Sequence, residues 1–156
     1  MGPEDFAQRA TAAGYRVVVR ELDQSTRTAE EAALAVGCSQ RQIVKSLVFL
    51  ADGEAVIVLQ RGDRKVDPER LRVALGAEKV RRADADRVYA ETGYAIGGVP
   101  PFGHLGPLRT VLDACLADEP HLFAAAGGPR ALFTTSGTEL RQAAATAVAC
   151  CCADGA

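Results

Sequence analysis

The sequence predicts an α+β fold: a single domain with a curved, mostly antiparallel, barrel-like mixed sheet surrounded by short helices. Short segments with helix caps alternate with runs rich in β-branched residues, a mixture typical of helices packed around an antiparallel sheet. No repeat or linker divides the 156 residues, and this length suits one domain with its own core. We therefore expect one domain over residues 1–150 and a disordered tail over residues 151–156.

The N-terminal elements are predicted from their caps and residue types. Pro3 suits a first helical position and Gly14 a left-handed stop, so a helix is expected between them. Residues 15–22 are rich in β-branched side chains and predict a strand. Thr28 begins a capping-box pattern, with an acid three residues later, and predicts a helix that ends at Gly37.

The clearest hairpin lies in the middle of the chain. Apolar runs at residues 44–50 and 55–60 flank Asp52-Gly53, which is a strong tight-turn signal. Further helices are predicted after capping residues, at 67–76, at 84–93 and from Ser136 onward. Further strands are predicted at β-rich runs, at 94–96, 109–112, 122–125 and 131–135.

Composition and charge exclude several classes of protein. Apolar residues make up 48% of the chain, but no stretch approaches the roughly 20 apolar residues that cross a bilayer. The N-terminus lacks the apolar core of a signal peptide, so a cytoplasmic location without membrane contact is expected. The net charge of −2 does not suit a protein that binds long duplex nucleic acid through many phosphates. One local basic cluster would suffice for a single-stranded end.

The cysteines form no recognisable disulfide or metal framework. There are five of them, an odd count, three are consecutive, and no paired Cys-x-x-Cys motif is present. The two histidines fall in no ligand spacing either, so no metal or other cofactor is expected. Reduced thiols are the default in the cytoplasm. The cysteines are Cys38, Cys115, Cys150, Cys151 and Cys152.

Lys45 is the first residue that could carry chemistry. Side chains alternate along a strand, so Lys45 is expected on the same face as Leu47 and Phe49. A lysine on an apolar face is costly unless its ammonium group reaches water or an anion. Two interpretations are open: an edge-strand lysine that extends to solvent, or an anion-binding lysine in a cleft that suits phosphate.

The segment Gly97-Gly98-Val99-Pro100-Pro101 is the second candidate. Its glycines permit unusual backbone angles, and its prolines stiffen the chain that follows. Such a loop can direct its amide N–H groups at one carbonyl or phosphate oxygen, although a rigid turn between strands would use the same residues. The spacing fits neither the phosphate loop of nucleotide hydrolases nor a dinucleotide-binding fingerprint.

Several polar residues are weaker candidates, and each has a structural alternative. His104 suits either a general base or a hydrogen-bonding surface residue. Asp113 suits either a residue that orients a partner or a cap for the next segment, and residues 25–28 suit either an anion site or a helix cap. A cysteine-dependent hydrolase that pairs Cys115 or Cys38 with His104 is a further option, but it has no local sequence signature.

Taken in order, the segments IVKSLVF, VDPERLRVALG, ETGYAIGGVPPFGH and RTVLD resemble the YbaK/ProRS-associated domain family. Members of this family are aminoacyl-tRNA deacylases related to the editing insertion of bacterial prolyl-tRNA synthetase. The resemblance covers roughly residues 25–145, and its most specific elements are the strand lysine and the glycine–proline segment. It implies a trans-editing hydrolase that cleaves the ester of a mischarged tRNA, carrying a small amino acid on a proline tRNA or one with overlapping identity.

The resemblance implies a role for each matching position. Lys45 is expected to bind the phosphate-bearing 3′ end of the tRNA, and the loop over residues 97–101 to hold the aminoacyl carbonyl. Asp113 is expected to support the site, and residues 25–28 to flank the amino-acid pocket. The catalytic candidates are Lys45, Gly97, Gly98, Val99, Pro100 and Pro101. The substrate-binding candidates are Thr26, Arg27, Thr28, Phe49, His104, Asp113, Ala125 and Gly127.

The family also implies a mechanism and partners. An aminoacyl ester is already activated, so positioning and carbonyl polarisation suffice, with a hydroxyl of the terminal adenosine assisting the attacking water. The expected partner is the acceptor 3′ end of aminoacyl-tRNA, and a transient complex with a synthetase or elongation factor follows from the family alone. Several basic residues have two equally good interpretations: they contact the acceptor stem of the tRNA, or they form an ordinary solvated surface. These residues are Arg61, Arg64, Lys65, Arg81 and Arg82.

The chain departs from the family in the segment over residues 122–129. Some members carry a Ser there and an Asp a few residues later, whereas this chain has alanines and no acid until Glu139. The departure argues against cysteinyl-tRNA as substrate. A small pocket lined by Ala and Val99 favours alanine, serine, threonine or a short non-protein analogue. The alternative function is a non-catalytic module of the same fold that binds a tRNA end or a nucleotide.

Overall fold

A computed structural model describes residues 1–143, 147–150 and 152 of the chain. The helices are α1 (Pro3–Ala12), α2 (Ala29–Val36), α3 (Pro68–Leu75), α4 (Ala85–Thr92), α5 (Ala114–Ala117) and α6 (Gly137–Ala143). The strands are β1 (Arg20–Glu21), β2 (Ile43–Ala51), β3 (Glu54–Arg61), β4 (Val80–Arg82), β5 (Arg109–Asp113), β6 (Leu122–Ala125), β7 (Ala131–Thr135) and β8 (Ala147–Ala149). In this part of the chain no helix has the length and apolar character needed to span a membrane.

The predicted helix boundaries are set by side-chain caps and glycine stops. Thr28 accepts a hydrogen bond from the N–H of Glu31 at 3.0 Å, and Asp84 accepts one from the N–H of Arg87 at 2.8 Å. Asp67 caps α3 in the same way. Helices α2, α3 and α4 each end at a glycine in the left-handed conformation: Gly37, Gly76 and Gly93. The predicted helices in these three places are confirmed.

The eight strands form one mixed sheet in the order β1-β7-β6-β2-β3-β5-β8, with β4 paired to β2 outside this order. The pairs β1/β7, β6/β7, β2/β3 and β2/β4 are antiparallel, whereas β2/β6, β3/β5 and β5/β8 are parallel. Among the described residues, no pairing joins the two ends of the sheet, so it does not close on itself. The predicted α+β class, with a mixed and mostly antiparallel sheet, is confirmed, and so is the hairpin of β2 and β3.

One edge of strand β2 pairs with two different strands, β6 at its start and β4 at its end. Its other edge pairs with β3 along the whole strand, from Val44 opposite Arg61 to Ala51 opposite Glu54. On the shared edge, β6 pairs only as far as Val44, and β4 pairs only from Phe49 onward. The sheet is therefore open beside the middle of β2, between β6 and β4.

The two faces of the sheet pack against different layers. The larger core includes Val44, Val48 and Leu50 of β2 and is covered by α1, α4 and α6 through residues such as Phe6 and Leu140. The smaller core includes Phe49, Val56, Val58 and Val111 and is covered by Leu71 and Leu75 of α3. The alternation predicted for β2 is confirmed, since Leu47 packs against the same smaller core as Phe49.

Two predicted strands are wrong or too long. Of residues 15–22, only Arg20 and Glu21 pair, with β7. Val17 and Val19 pack against the larger core, whereas Val18 between them is 78% exposed. β-branched residues suit such a half-buried surface whether or not the backbone pairs with another strand, so their presence did not predict the pairing. Residues 94–96 form no strand: the Gly98 N–H donates to the Ala95 carbonyl at 3.0 Å, which closes a turn.

The C-terminal region lies partly outside the described residues. Strand β8, which pairs with β5, was not predicted. Of the tail predicted over 151–156, only Cys152 is described: it is buried and forms an antiparallel bridge with Val66. Cys151 and the other tail residues lie outside the described part of the chain.

Candidate active site

A pocket of about 270 Å³ lies where the sheet opens beside β2. Its wall combines the middle of β2, the start of α2, the segment before α2, the glycine loop, β4 and β6. The apolar wall residues are Ala29, Ala32, Ile43, Val44, Leu47, Val48, Val88, Ile96, Val99, Ala125 and Leu132. The remaining wall residues are Thr26, Arg27, Thr28, Lys45, Ser46, Arg82 and Gly97.

Half of the predicted site residues meet at this pocket. Segments far apart in the sequence contribute them, because β2, β6 and the loops at their ends converge at the opening of the sheet. The predicted residues on the wall are Thr26, Arg27, Thr28, Lys45, Gly97, Val99 and Ala125.

Other predicted residues are not on the wall of the pocket. Phe49 is 3% exposed, and its ring lies under the Arg82 guanidinium, whose carbon is 5.4 Å from the ring centroid. Gly98 and Gly127 support the loop, since the Gly127 N–H donates to the Gly98 carbonyl at 2.9 Å. Asp113 is fully buried at the end of β5, where its carboxylate accepts the N–H of Cys115 at 3.0 Å and caps α5.

His104, Pro100 and Pro101 form a separate structural unit that does not line the pocket. The Nε2 atom of His104 is 2.7 Å from the Pro100 carbonyl oxygen. Burial lowers the pKa of His104, and the hydrogen bond to Pro100 opposes that shift only in part. Pro101 and His104 line a different surface cleft. The hydrogen bond of the imidazole thus connects the end of the glycine–proline segment to the residues that follow it in the chain.

The Lys45 ammonium group is held at the pocket in a partly desolvated position. It donates a hydrogen bond to the Arg64 carbonyl, and the residue is only partly exposed. Burial lowers the pKa of Lys45, nearby Asp63 raises it, and Arg82 and Lys65 lower it further. An ammonium has three donors, so donors remain for an anion.

The surroundings of Lys45 carry a local surplus of positive charge. Arg82 and Lys65 are close enough to influence its pKa. The carboxylate that opposes them, Asp63, is itself paired with the guanidinium of Arg61 through contacts of 2.6 and 3.2 Å. An overall charge of −2 therefore coexists with a cationic patch around Lys45, two of whose members, Lys45 and Arg82, line the pocket, and such a patch favours a phosphate group.

The glycine loop is pressed against the segment that precedes α2. Gly97 has φ of +91°, and a β-carbon at this position would come within 2.9 Å of the Arg27 Cβ. A β-carbon at Gly98 would come within 3.0 Å of the Gly128 nitrogen. Only glycine allows both the left-handed backbone at Gly97 and the close approach at Gly98.

Few amide groups of this loop are available to a ligand. Pro100 and Pro101 have no N–H, and the N–H of Gly98 is used by the Ala95 carbonyl. The N–H groups of Gly97 and Val99 donate to no acceptor within the described ranges. Both residues line the pocket, so the free amides of the loop are those at its wall.

The segment before α2 is anchored by backbone and side-chain hydrogen bonds. The N–H of Thr26 donates to the Pro129 carbonyl at 2.8 Å, and its hydroxyl lies 3.3 Å from the same oxygen. The Ser25 hydroxyl donates to the Glu31 carboxylate at 2.6 Å. These bonds connect the 25–28 segment to the loop before β7 and to the first turn of α2, so it forms a fixed side of the pocket.

Sequence reasoning missed Ser46, whose backbone faces the opening. The Gly62 N–H donates to the Ile43 carbonyl, and the Ala83 N–H donates to the Val48 carbonyl. Backbone groups of alternate residues point to opposite edges of an antiparallel strand, so the N–H and C=O of Ser46 point away from β3. There β6 has already ended its pairing and β4 has not begun it. A lone serine in an apolar strand was the available signal.

A cysteine-dependent hydrolase finds no support in the geometry. The Cys115 thiol contacts the Asp113 carboxylate, Gln60 and Cys152, whereas the His104 ring contacts Pro100. Burial and the adjacent Asp113 carboxylate raise the pKa of Cys115 to about 12, which keeps this thiol protonated and weakly nucleophilic. Neither Cys115 nor Cys38 lines the pocket.

Comparison with known families identifies the class of domain that has this fold and pocket. The chain belongs to the aminoacyl-tRNA editing domain family: the family model matches residues 23–143. That range includes every residue of the pocket wall. The resemblance predicted from the sequence is confirmed.

Individual relatives agree with this assignment. The uncharacterized protein YwhH of Bacillus subtilis (strain 168) is 34% identical over 125 residues, 80% of this chain and 79% of that protein. A proline–tRNA ligase of Nitratidesulfovibrio vulgaris (strain DP4) is 40% identical over 86 residues, 55% of this chain and 15% of the ligase. A crystal structure described as that of a proposed trans-editing enzyme for prolyl tRNA synthetase superposes with a TM-score of 0.90 at 39% identity, over 97% of this chain and 96% of the other.

Proposed function

We propose that the chain is a trans-editing aminoacyl-tRNA deacylase. It hydrolyses the ester between a small amino acid and the terminal adenosine of a mischarged tRNA, either a proline tRNA or one with overlapping identity. The observation that carries this proposal is Lys45, a partly buried cation on the wall of a small and mostly apolar pocket. The end of an aminoacyl-tRNA has the matching chemistry, a phosphate chain that ends in a short acyl group. Membership of the editing-domain family supports the same reaction class.

Lys45 and Arg82 bind the phosphate of the terminal nucleotide. Both line the pocket, and the carboxylate near them is already paired with Arg61. A hydrogen bond between ammonium and phosphate is charge-assisted, so it is stronger than one between neutral groups. This contact sets how far the acyl group extends into the pocket.

The pocket receives the amino-acid side chain. Its volume of about 270 Å³ lies below the range of about 300–1,000 Å³ typical of sites for drug-sized ligands. Most of the wall is aliphatic, and Ala29, Ala32 and Ala125 leave room close to the backbone. A short side chain fits this space, whereas a large one would collide with β-carbons that are attached to rigid elements.

The free amides of Gly97 and Val99 polarise the ester carbonyl. They are the loop donors without a protein acceptor in the described part of the chain, and the close contact with Arg27 and Gly128 fixes the loop. Donors held in place before the reaction stabilise the developing oxyanion without reorganising. Removal of one such donor costs other enzymes about 100- to 1,000-fold in kcat.

The α-ammonium group of the substrate binds the carbonyl of Ser46. No carboxylate is present among the described residues of the wall, so the acceptors there are hydroxyl and backbone oxygens, and the Ser46 carbonyl is the one on the open edge of β2. The Ser46 carbonyl lies on the unpaired stretch of β2 between β6 and β4. An N-acetylated aminoacyl-tRNA, which lacks this cation, is therefore expected to be hydrolysed more slowly.

Water attacks the ester with help from the tRNA itself. No histidine, cysteine or carboxylate lies on the described wall, and the Ser46 hydroxyl is buried. The ester is activated, so orientation and carbonyl polarisation account for the rate. A hydroxyl of the terminal adenosine orients the water. The water oxygen bonds to the carbonyl carbon, the ester C–O bond breaks, and the proton that the water loses passes to the departing adenosine oxygen.

The deciding experiment is deacylation of tRNAs charged with alanine, serine, threonine, cysteine and 2-aminobutyrate. We expect selective turnover of one or two of them. Lys45→Ala should lower kcat/KM by about 10- to 150-fold, because hydrogen bonds to charged groups contribute about 1.5–3 kcal/mol. The matched control is Lys79→Ala, which removes an exposed lysine outside the pocket and should leave turnover unchanged.

Two results would count against the proposal. Full activity of a folded Lys45→Ala variant would remove the assigned role of this lysine. Binding of charged tRNA without turnover of any member of the panel would favour the alternative, a non-catalytic module that binds a tRNA end.

A further inference from the structure

Asp113, Cys115 and Cys152 form a cluster of potential metal ligands outside the pocket. One ligand atom from each lies within 4.8 Å of the others, and the two sulfur atoms are 3.8 Å apart. Asp113 is fully buried and Cys152 is 8% exposed. The cluster joins the end of β5 to the C-terminal segment, two regions separated by 37 positions between the cysteines. None of the three residues lines the pocket.

Gln60 is a second and independent indication of a ligand. It is fully buried on β3, and its Oε1 atom has no hydrogen-bond partner within the described residues. Its Nε2 atom is 3.6 Å from the Cys115 sulfur. A side-chain amide presents oxygen and nitrogen at equivalent positions after a 180° rotation, so the unsatisfied oxygen can occupy this place beside the thiol.

Two of the separations among these side chains match those of ligands on tetrahedral zinc. With Zn–S bonds of about 2.3 Å, two thiolates on a tetrahedral ion are about 3.8 Å apart, and a thiolate and an oxygen ligand are about 3.5 Å apart. The observed separations are 3.8 Å between the sulfurs and 3.6 Å between Gln60 Nε2 and the Cys115 sulfur. The Asp113 carboxylate is hydrogen-bonded to the Cys115 sulfur and lies closer to it, so the carboxylate has to move away from the sulfur to admit the ion. The Cys115 thiol donates a hydrogen bond to the Asp113 carboxylate, so these two donors already face each other.

We propose that Asp113, Cys115 and Cys152 bind one zinc ion, with Gln60 Oε1 as the fourth donor. On binding, both thiols lose their protons to solvent, and the two thiolates and the carboxylate bond to the ion without any change of oxidation state. The ion links β5 and β3 to the segment at Cys152, which already bridges Val66. It therefore acts on stability rather than on the ester hydrolysis at the pocket.

The test is zinc binding to the reduced full-length chain after removal of metal with a chelator. We expect one zinc per chain by elemental analysis after gel filtration, a rise in Tm on adding zinc, and thiolate charge-transfer absorption with cobalt(II). Cys152→Ser should abolish all three. Cys38→Ser is the matched control, since Cys38 lies outside the cluster and contacts the Ser39 carbonyl, and it should retain all three.

Several results would overturn the proposal. Absence of retained zinc in the wild-type chain would do so, as would zinc binding that persists in both Cys115→Ser and Cys152→Ser. A Cys115–Cys152 disulfide, detected by mass spectrometry in a chain that does not bind zinc when reduced, would assign the pair to thiol oxidation. Gln60→Ala separates the ligands further: weaker zinc binding with unchanged stoichiometry supports the fourth position, and unchanged affinity removes Gln60 from the site.

Discussion

Gly97 and Arg27 approach each other so closely that a β-carbon on the glycine would come within 2.9 Å of the Arg27 Cβ. The two residues belong to loops 70 positions apart in the sequence, and both line the pocket. Their contact joins the segment before α2 to the loop that carries the free amides of Gly97 and Val99. The glycine is therefore required by packing as well as by its φ of +91°.

Gly97→Ala should separate these two loops. The left-handed backbone alone costs a non-glycine residue about 1–2 kcal/mol, and the close contact with Arg27 adds to this cost. We expect a lower free energy of unfolding in urea and a deacylation rate reduced further than the loss of folded protein explains. Gly106→Ala is the control, because a β-carbon there meets nothing within 4 Å. Equal activity of the two folded variants would contradict the role of the loop contact.

Arg82 and Arg81 offer a matched pair for the phosphate contact. They are adjacent and exposed on β4, but side chains alternate along a strand, and only Arg82 lines the main pocket. Arg81 lies against a different surface cleft. Arg82→Ala should weaken binding of a tRNA acceptor-end oligonucleotide up to about fivefold at low salt. Arg81→Ala should change it little, and a larger effect at Arg81 would place the phosphate elsewhere.

Ala125→Leu should narrow the pocket and change its selectivity. Ala125 lies on β6 at the wall, so three added carbon atoms enter the space assigned to the amino-acid side chain. A single methylene in such a pocket changes discrimination by about 1–3 kcal/mol, so kcat/KM should fall more for the larger accepted amino acid than for the smaller. Ala12→Leu, on the exposed end of α1, is the control. Equal losses on all substrates would mean that Ala125 does not contact the side chain.

His104 should make stability sensitive to mild acid. Its pKa in the folded chain is lowered from an ordinary value of 6.5, chiefly by burial. As the pH falls through 6.5, the unfolded chain takes up a proton before the folded chain does, so the free energy of unfolding decreases between 6.5 and the lower folded pKa. Urea melts between about pH 7 and pH 5 should show a smaller decrease for His104→Gln than for wild type. His121→Asn, at an exposed position, should behave like wild type.

Helices and turns were predicted correctly where the sequence pattern that specifies them lies within a few residues. The caps at Thr28, Asp67 and Asp84 and the turn at Asp52-Gly53 are interactions within a few residues, so the sequence contains all of their partners. The strand predicted over residues 15–22 failed because its pairing depended on β7, a distant element. Strand β8 was missed for the same reason.

The residues of the candidate site also fall into two groups, those with a local sequence pattern and those that depend on distant strands. Lys45 and the glycine loop carry local patterns, an isolated charge in an apolar strand and two glycines before two prolines, and both lie at the pocket. The sequence did not predict the backbone role of Ser46 or the cluster of Asp113, Cys115 and Cys152, because each depends on where another strand begins, ends or returns.

The α+β class, most helix and hairpin boundaries and the editing-domain family could be predicted from the residues alone, because these follow from caps, turns, alternation and motifs that are short in range. The packing of the whole domain leaves β2 unpaired between β6 and β4, and it forms the pocket in this opening. The same packing determines which predicted residues line the wall of the pocket. It places others, such as Asp113 and His104, where they stabilise the fold outside the pocket. Those outcomes depend on contacts between residues far apart in the chain, whose geometry is set by the packing of the whole domain.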